Sequence, residues 1–272
     1  MSVTEEDINN YVSEITKYSD MNLTNFEYYK IFEELEYEYT SNKQENLCSM
    51  VHKLSPKLYQ KDKNLFPVRN ALICGCGKQL NVFQRYDLQN KKDVVCSFCN
   101  AKITYESMII KFFLTKCNAF SYKNRTYKIK YFPTWYELIN SVSSDSDVKS
   151  VLRDFINRNN IFSSAGLNLI FGMYKQISFA KKIKNIKHYS IKRYERFIEL
   201  MNYSNQALVP TLDIDVVWHA HLINHKNYSK YCFDVCKRFI IHDDTIAESK
   251  LTNLYAYKYV QWGKIYGEAY SC

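Results

Sequence analysis

Histidine and aspartate side chains crowd around one tryptophan in the last quarter of the chain. Four of the six histidines lie between positions 219 and 242. Imidazole and carboxylate groups bind zinc-class metals and carry protons in acid–base catalysis, so this composition predicts a reactive site or a buried polar network. We call the set the motif cluster; it comprises Asp213, Asp215, Trp218, His219, His221, His225, His242 and Asp243.

The spacing of the motif cluster predicts a helix with Thr211 or Asp213 as its N-cap. On such a helix Asp215 and His219 are four positions apart and can touch, whereas His219 and His221 face apart and cannot chelate one ion. On a strand, that last pair would share a face. Apolar residues at helical intervals define the predicted buried face: Ile214, Val217, Trp218, His221 and Leu222.

Three interpretations of the motif cluster remain open. The first, which we favour, is a structural network in which Asp215 holds His219 by a hydrogen bond and His242 with Asp243 caps a neighbouring helix. The second is a metal site, and the third is an acid–base site.

Two closely spaced cysteine pairs stand apart from the motif cluster. Structural zinc takes four thiolates in a tetrahedron from paired knuckles on turns, and Gly75 and Gly77 relax the backbone where thiolates converge. A shell of four cysteines leaves no position for a catalytic water. Buried free thiols or a redox pair are the alternatives, and the first pair is tighter than the usual C-x₂-C. The predicted ligands of structural Zn²⁺ are Cys74, Cys76, Cys96 and Cys99.

Cys232 and Cys236 are four positions apart on another predicted helix. We expect both to be buried thiols, the common state of free cysteine. The alternative is a metal shared with His225 or His242.

Basic residues form two segments in a chain of net charge +9, which favours an anionic partner, nucleic acid first. One segment alternates cations with tyrosines in a predicted hairpin that turns at residues 123–125. Lys and Arg neutralise phosphates and Tyr stacks on unpaired bases; a solvated charged face is the alternative. The candidate RNA contacts are Lys123, Arg125, Lys128 and Lys130 in the hairpin and Lys181, Lys182, Lys184, Lys187, Lys192 and Arg193 in the second segment.

The composition predicts a folded protein, with 46% hydrophobic and 16% aromatic residues. The chain has no apolar run long enough for a transmembrane helix, and its acidic first residues do not resemble a signal peptide. It also has no P-loop or dinucleotide-binding fingerprint. We therefore expect a cytoplasmic protein with reduced or metal-bound cysteines, no membrane partner and no small-molecule substrate.

The predicted elements give a mainly α protein with a small β-rich, zinc-ribbon-like insertion (α+β). Within the insertion, residues 80–86 are predicted as a strand and Ser107 as the start of a helix. Gly267 is predicted to end the final helix. The predicted divisions are an N-terminal helical segment (1–60), a zinc-ribbon-like β region with the basic hairpin (61–132) and a helical domain carrying the Trp-His-x-His motif (133–272).

The Trp-His-x-His block within Pro210–Leu222 resembles the glycine-rich domain-containing protein-like family of eukaryotes. Weaker blocks of the same family are Tyr174–Phe179 and Lys192–Phe197, and Trp262 with residues 266–270 extends the resemblance toward the end of the chain. With six glycines in all, the chain resembles a member without the glycine-rich tail of the plant proteins. A short, Lys-, Asn-, Tyr- and Ile-rich chain is most similar to the microsporidian ribosomal dormancy (hibernation) factors of this family.

That resemblance implies a non-catalytic factor that occupies the tRNA exit site region of the small ribosomal subunit and blocks translation. The implied partners are ribosomal RNA and ribosomal proteins, and the implied mechanism is steric competition with deacylated tRNA. The alternatives are a metal-dependent or acid–base enzyme that uses residues 213–244, and a protein-interaction scaffold.

Overall fold

The computed structural model describes residues 3–55, 67–158, 167–186, 188–203, 208–242 and 259–270. The predictions for Lys187 and Asp243 lie outside these ranges. The chain divides into two compact units, each assembled from separate stretches. Unit 1 comprises Met1–Asn22, Ser49–Lys61 and Met173–Cys272, and unit 2 comprises Leu23–Cys48 and Asp62–Gly172. These two units do not follow the boundaries of the three segments predicted from the sequence. The three-segment division stays a prediction.

Helices dominate the described part of the chain. They are α1 (Glu5–Ser19), α2 (Asn25–Asn42), α3 (Leu47–Leu54), α4 (Val68–Ala71), α5 (Val82–Gln89), α6 (Tyr105–Lys116), α7 (Trp135–Val142), α8 (Ser146–Arg158), α9 (Leu167–Ile183), α10 (Ile191–Asn202), α11 (Leu212–Ile223), α12 (His225–Cys236) and α13 (259–266). Two small antiparallel sheets pair β1 (Val94–Val95) with β2 (Lys102–Ile103) and β3 (Ala119–Tyr122) with β4 (Arg125–Lys128). No helix in these ranges combines the length and apolarity that a membrane span requires.

Unit 1 is built around α11, against which α1, α10 and α12 pack. The predicted apolar face of α11 is confirmed: all five of its residues are at most 3% exposed. Val216 and Ala220, on other sides of the helix, are also buried. A helix that is apolar nearly all round lies in a protein core, so the polar groups of α11 must find partners inside the fold.

Unit 2 has a core in which α6, α7 and α8 pack against the β3–β4 hairpin. The turn at Lys123 and Asn124 has φ of 46° and 60°, the pair of positive φ angles that a two-residue hairpin turn of type I′ requires. The predicted hairpin is therefore confirmed. The central core residues of unit 2 are Ile110, Phe113, Phe120, Ile129, Leu138, Ile139, Val148 and Leu152.

The cysteine-bearing part of unit 2 contains less β structure than predicted. Residues 80–86 are wrong as a strand, because Asn81 and Gln84 form a capping box that starts α5. Ser107 is likewise not the start of α6; Thr104 is the N-cap and Ser107 takes the third helical position. Apart from the β1–β2 pair, the β pairing described in this part of unit 2 is one isolated antiparallel bridge between Ile73 and Gln79.

A buried ion pair fastens α5 to α2. The Arg85 Nε and Nη2 atoms donate to the Glu33 carboxylate at 2.6 and 2.5 Å, and Nη1 donates to the Leu80 carbonyl. The Gln84 amide donates to the Val95 carbonyl at 2.9 Å. These bonds hold the chain that follows the first cysteine pair and the strand that precedes the second.

Candidate metal centres and nucleic-acid interface

The four cysteines predicted as zinc ligands converge in unit 2. Their Sγ atoms all lie within 4.8 Å of one another. Cys74 and Cys99 are 3.5 Å apart, and Cys76 and Cys96 are 3.8 Å apart. Four thiolates around Zn²⁺ at bonds of about 2.3 Å require Sγ separations of about 3.8 Å, so the group is compatible with a tetrahedral zinc ion.

Backbone hydrogen bonds shape the two cysteine turns. Gly77 has φ of 85° and its amide donates to the Cys74 carbonyl, so the first turn needs the glycine at that position. Gly75, predicted to be equally important, does not adopt a positive φ. In the second turn the backbone amides of Cys99 and Phe98 donate to the Cys96 sulfur and lower the pKa of this thiol to about 6. Both turns therefore present sulfur toward one point.

Three groups of the motif cluster converge in unit 1. The Asp215 Oδ1 atom lies 2.9 Å from His242 Nε2 and 3.6 Å from His219 Nε2, and the two Nε2 atoms are 3.2 Å apart. We call this group the His–Asp site. Asp215 and His219 lie close together, but 3.6 Å is too long for the predicted hydrogen bond, and His242 is the nearer partner of Asp215. The side chains of His219, His242 and Asp215 are 4, 7 and 19% exposed.

The His219 ring is oriented by residues from two other helices. Tyr11 of α1 donates its hydroxyl to the Gln176 Oε1 atom of α9 at 2.6 Å. The same hydroxyl oxygen lies 2.7 Å from His219 Nδ1, so it accepts the proton on that nitrogen. Phe179 packs beside the ring at 4.8 Å between centroids. The Nε2 lone pair of His219 consequently points toward Asp215 and His242.

His221 has a different environment, as the helical prediction requires. Its Nδ1 atom lies 2.8 Å from the Tyr194 hydroxyl. Burial lowers the pKa of His221 to about 4, so the ring is neutral at physiological pH. His219 and His221 therefore do not share an ion, and the polar groups of α11 serve separate networks.

Trp218 and His242 link α11 to the chain that follows α12. The Trp218 indole donates to the Tyr228 hydroxyl at 2.9 Å, and this hydroxyl donates to the Ile240 carbonyl at 2.8 Å. The His242 ring packs edge-on to Trp218 with centroids 4.4 Å apart. The proposed capping role of His242 with Asp243 is not what positions His242: it is held against Trp218 and Asp215.

Arg193 ties α10 to both α11 and the C-terminal segment. Its Nε donates to Asp213 at 2.9 Å, its Nη2 donates to the Tyr270 carbonyl at 2.8 Å, and its guanidinium lies over the Trp262 ring. Trp262 and Tyr270 are completely buried. Gly267, at φ 67°, follows the last residue of α13 as predicted. These contacts favour a positioning role for Arg193 rather than a phosphate contact.

The remaining basic side chains lie at the surface. In the β3–β4 hairpin all four predicted cations, Lys123, Arg125, Lys128 and Lys130, are exposed. The intervening Tyr122 and Tyr127 are half-buried and pack against the unit 2 core, which leaves less ring surface for the predicted base stacking. In unit 1 the exposed cations of the second segment are Lys181, Lys182, Lys184 and Lys192.

The other predicted ligands are placed as follows. Cys232 and Cys236 are buried, and Cys236 donates its thiol to the Ile198 carbonyl. His225 packs against Phe239 with ring centroids 5.7 Å apart. Among the residues that the structure describes, potential metal ligands gather in two groups, the four cysteines and the His–Asp site. Neither group includes Cys232 or Cys236.

Sequence reasoning missed Tyr11, Gln176 and Phe179 as parts of the His–Asp site. Tyr11 is 208 positions from His219 and lies on an ordinary amphipathic helix, so no local pattern distinguishes it. Gln176 and Phe179, however, both belong to the block Tyr174–Phe179 that carried the weaker family resemblance. The resemblance of that block to the family was therefore the sequence signal that could have identified these two residues.

Comparisons with known proteins match the central part of the chain. The family model described as "Glycine-rich domain-containing protein-like" matches residues 112–231. Glycine-rich domain-containing protein 1 and protein 2 of Arabidopsis thaliana are 26% and 27% identical to this chain over 90 residues, or 30% of it. The matched part is 11% of the length of each plant protein. No solved structure gives a significant match.

Proposed function

We propose that this chain, which is similar over residues 112–231 to the glycine-rich domain-containing protein-like family, is a non-catalytic, cytoplasmic ribosome-binding dormancy factor. It occupies the tRNA exit site region of the small subunit and blocks translation by excluding deacylated tRNA. Its partners are small-subunit rRNA and ribosomal proteins. The resemblance to microsporidian dormancy factors suggests the site of action, and the surface chemistry suggests how the protein is held there.

The observation that carries the proposal is the arrangement of the β3–β4 hairpin. Residues 119–132 contain no acidic residue. The four cations at positions 123, 125, 128 and 130 are exposed, whereas Phe120 and Ile129 are buried beneath them. A hairpin anchored by apolar residues and presenting only positive charge is suited to the RNA backbone, because phosphate contacts supply most of the affinity of such interfaces.

A second positive surface supports the same partner. Lys181 and Lys182 lie in the last turn of α9, and Lys184 and Lys192 are exposed beyond it. Lys184 pairs with Asp20 at 3.2 Å, but both side chains are at least 60% exposed, so this ion pair is weak and leaves the lysine available. Arg193 is omitted from the proposed contacts because of its internal partners.

Zinc has a structural role in this proposal. The ligands are Cys74, Cys76, Cys96 and Cys99, and the resulting zinc-ribbon-like knuckles replace the core that such short strands cannot provide. Bound zinc would link the two cysteine turns. It would not be reactive, because four thiolates complete the tetrahedron and leave no open position. Phe98 in the second knuckle is 72% exposed and is a stacking surface for an unpaired base or a ribosomal protein.

Burial of two histidines of the motif cluster supports the non-catalytic assignment. His219 and His221 are 3% and 1% exposed. An acid–base group must come within hydrogen-bond reach of its substrate, which the surrounding aromatic side chains would obstruct. The alternative enzyme would therefore require an opening of unit 1 around α11.

The test is sedimentation of lysates from dormant and growing cells through sucrose gradients at low and high salt. We expect the protein to co-migrate with ribosomes in dormant cells and to be released at high salt, since displacement of counterions makes such binding salt-dependent. Added deacylated tRNA should compete with the protein for purified small subunits. A protein that stays at the top of every gradient contradicts the proposal.

Two charge variants sharpen the experiment. The hairpin variant K123Q/R125Q/K128Q/K130Q should leave the ribosomal fractions. The control variant K91Q/K92Q/K226Q/K230Q removes the same charge from exposed positions outside both basic segments and should remain bound. If both variants stay bound equally, the hairpin is not part of the interface. If both are released equally, binding depends on net charge alone and not on the hairpin.

A further inference from the structure

We propose that the His–Asp site is a second, independent metal centre that binds one zinc-class divalent cation through Asp215 Oδ1, His219 Nε2 and His242 Nε2. The ion fastens the chain after α12 to α11 inside unit 1. This site lies outside the cysteine group and does not depend on ribosome binding.

The spacing of the three atoms fits a single metal ion. Nitrogen and oxygen ligands bind Zn²⁺ at about 2.0–2.2 Å, so two ligand atoms in a tetrahedral shell are about 3.3–3.6 Å apart. The observed separations are 2.9, 3.2 and 3.6 Å. An ion placed among them would be at bonding distance from all three with only small shifts.

The sequence places two of these ligands in register. Asp215 and His219 are one helical turn apart on α11, so their side chains leave the same face of the helix. This is the spacing at which two histidines of a helical zinc motif bind one ion. His242, 23 positions beyond His219, supplies the third ligand from a separate part of the chain.

The hydrogen-bond pattern also favours a cation at this point. Because the proton of neutral His219 is on Nδ1, facing Tyr11, its Nε2 is an acceptor. The carboxylate of Asp215 is an acceptor too. When His242 carries its proton on Nε2, that proton faces both acceptors, at 2.9 and 3.2 Å. A divalent ion would satisfy the lone pairs of all three ligands at once.

The residues around the three ligands resemble those that surround and orient the ligands of known metal sites. A ligating histidine commonly donates its other ring N–H to a neighbouring oxygen, which fixes the ring orientation and the tautomer. Tyr11 supplies that oxygen, and Gln176, itself 4% exposed, accepts the Tyr11 proton. The rings of Phe179 and Trp218 pack against His219 and His242 at 4.8 and 4.4 Å. These aromatic walls would restrict solvent and retain the ion.

The experiment counts metal in the full chain reloaded with Zn²⁺ after chelation. We expect two ions per chain in the wild type and one in Asp215→Asn and in His242→Ala. The cysteine variant C76S/C99S should also bind one ion. The control His188→Ala alters an exposed histidine outside the site and should bind two. Circular dichroism of each protein verifies the fold, and Asp215→Asn retains an oxygen that can accept the His242 proton.

Cobalt substitution identifies which site is loaded. In C76S/C99S, bound Co²⁺ should show visible d–d absorption without the near-ultraviolet sulfur-to-cobalt charge transfer of a thiolate site. In Asp215→Asn, the charge transfer should remain. The proposal is wrong if Asp215→Asn and His242→Ala bind as much Zn²⁺ as the wild type, or if C76S/C99S binds none while retaining its fold. In either case the three groups form a hydrogen-bonded network only.

Discussion

The Tyr11 hydroxyl lies 2.7 Å from His219 Nδ1, although the two residues are 208 positions apart in the sequence. This contact joins α1 to the centre of α11 and fixes which nitrogen of His219 carries the proton. The orientation of the candidate metal ligand is thus set by a residue near the other end of the chain.

Replacing Tyr11 by Phe should weaken metal binding at the His–Asp site by about 10–100-fold, the usual effect of losing the hydrogen bond that orients a ligating histidine. Removal of a buried hydroxyl should also lower the free energy of unfolding by about 1–3 kcal/mol. Competition with a coloured chelator in the C76S/C99S background measures the affinity of this site alone.

The control for that variant is Tyr266→Phe. The Tyr266 hydroxyl donates to the Arg196 carbonyl at 2.9 Å and has no part in the His–Asp site. This change should reduce stability without changing metal affinity. If both substitutions leave the affinity unchanged, Tyr11 does not position the ligand.

The helix of the motif cluster was predictable because its signals are local. Within residues 212–223 apolar residues recur at helical intervals, and Asp215 and His219 were expected to meet one turn apart. Both expectations are confirmed. The same periodicity explains why His219 and His221 face different networks.

The contacts that complete the site could not be predicted from such signals. His242 approaches α11 from a segment after α12, and Tyr11 and Gln176 come from helices distant in sequence. Their positions depend on how four helices pack, a global property that no local window contains. Arg193 is the converse case: it lies in a basic run and was predicted to contact RNA, yet its neighbours Asp213 and Tyr270 come from elsewhere in the fold.

Residues 80–86 show a local signal that was overlooked. Their apolar and aromatic content suggested a strand, but Asn81 followed by Gln84 is a capping box that satisfies backbone amides at a helix start. The capping chemistry outweighed β propensity, which depends strongly on context.

The charge of the β3–β4 hairpin predicts a measurable salt dependence. Removing one cation that neutralises a phosphate should reduce the slope of log affinity against log salt by roughly 0.7–0.9. The variant K123Q/R125Q/K128Q/K130Q should therefore bind small subunits with a slope that is shallower by about 3. Titrations at four or more salt concentrations measure it, and an unchanged slope would show that these side chains do not bind RNA phosphates.

The two glycines of the first cysteine turn allow a test with a built-in control, because only Gly77 has a positive φ. Gly77 has φ of 85°, so Gly77→Ala forces a side chain into a conformation that costs about 1–2 kcal/mol. An added Cβ at Gly75 would meet only the end of the flexible Lys111 side chain, at 3.4 Å. We expect Gly77→Ala to weaken zinc binding at the cysteine site by roughly 10-fold, the equivalent of about 1.4 kcal/mol, and Gly75→Ala to have little effect. Chelator competition in the D215N background compares the two.

The buried carboxyl group of Glu36 should make stability pH-dependent. Its exposure is 0%, and burial raises its pKa from 4.5 to about 8 despite hydrogen bonds from the Val68 amide. The folded state therefore holds this proton more tightly than the unfolded state does. The resulting stabilisation is fully present below pH 4.5 and is lost as the pH rises through about 8.

Glu36→Gln should abolish that dependence. The amide oxygen still accepts from Val68, but no charge is created at high pH, so the variant should be more stable than the wild type at pH 8 by several kcal/mol, on the order of 3–5. Denaturant unfolding at several pH values between 5 and 8 measures the difference. The exposed neighbour Glu34 provides the control, since Glu34→Gln removes a carboxylate that is 56% exposed and should change stability by less than about 1 kcal/mol. Parallel pH profiles for wild type and Glu36→Gln would mean that Glu36 is ionised in the folded protein throughout this range.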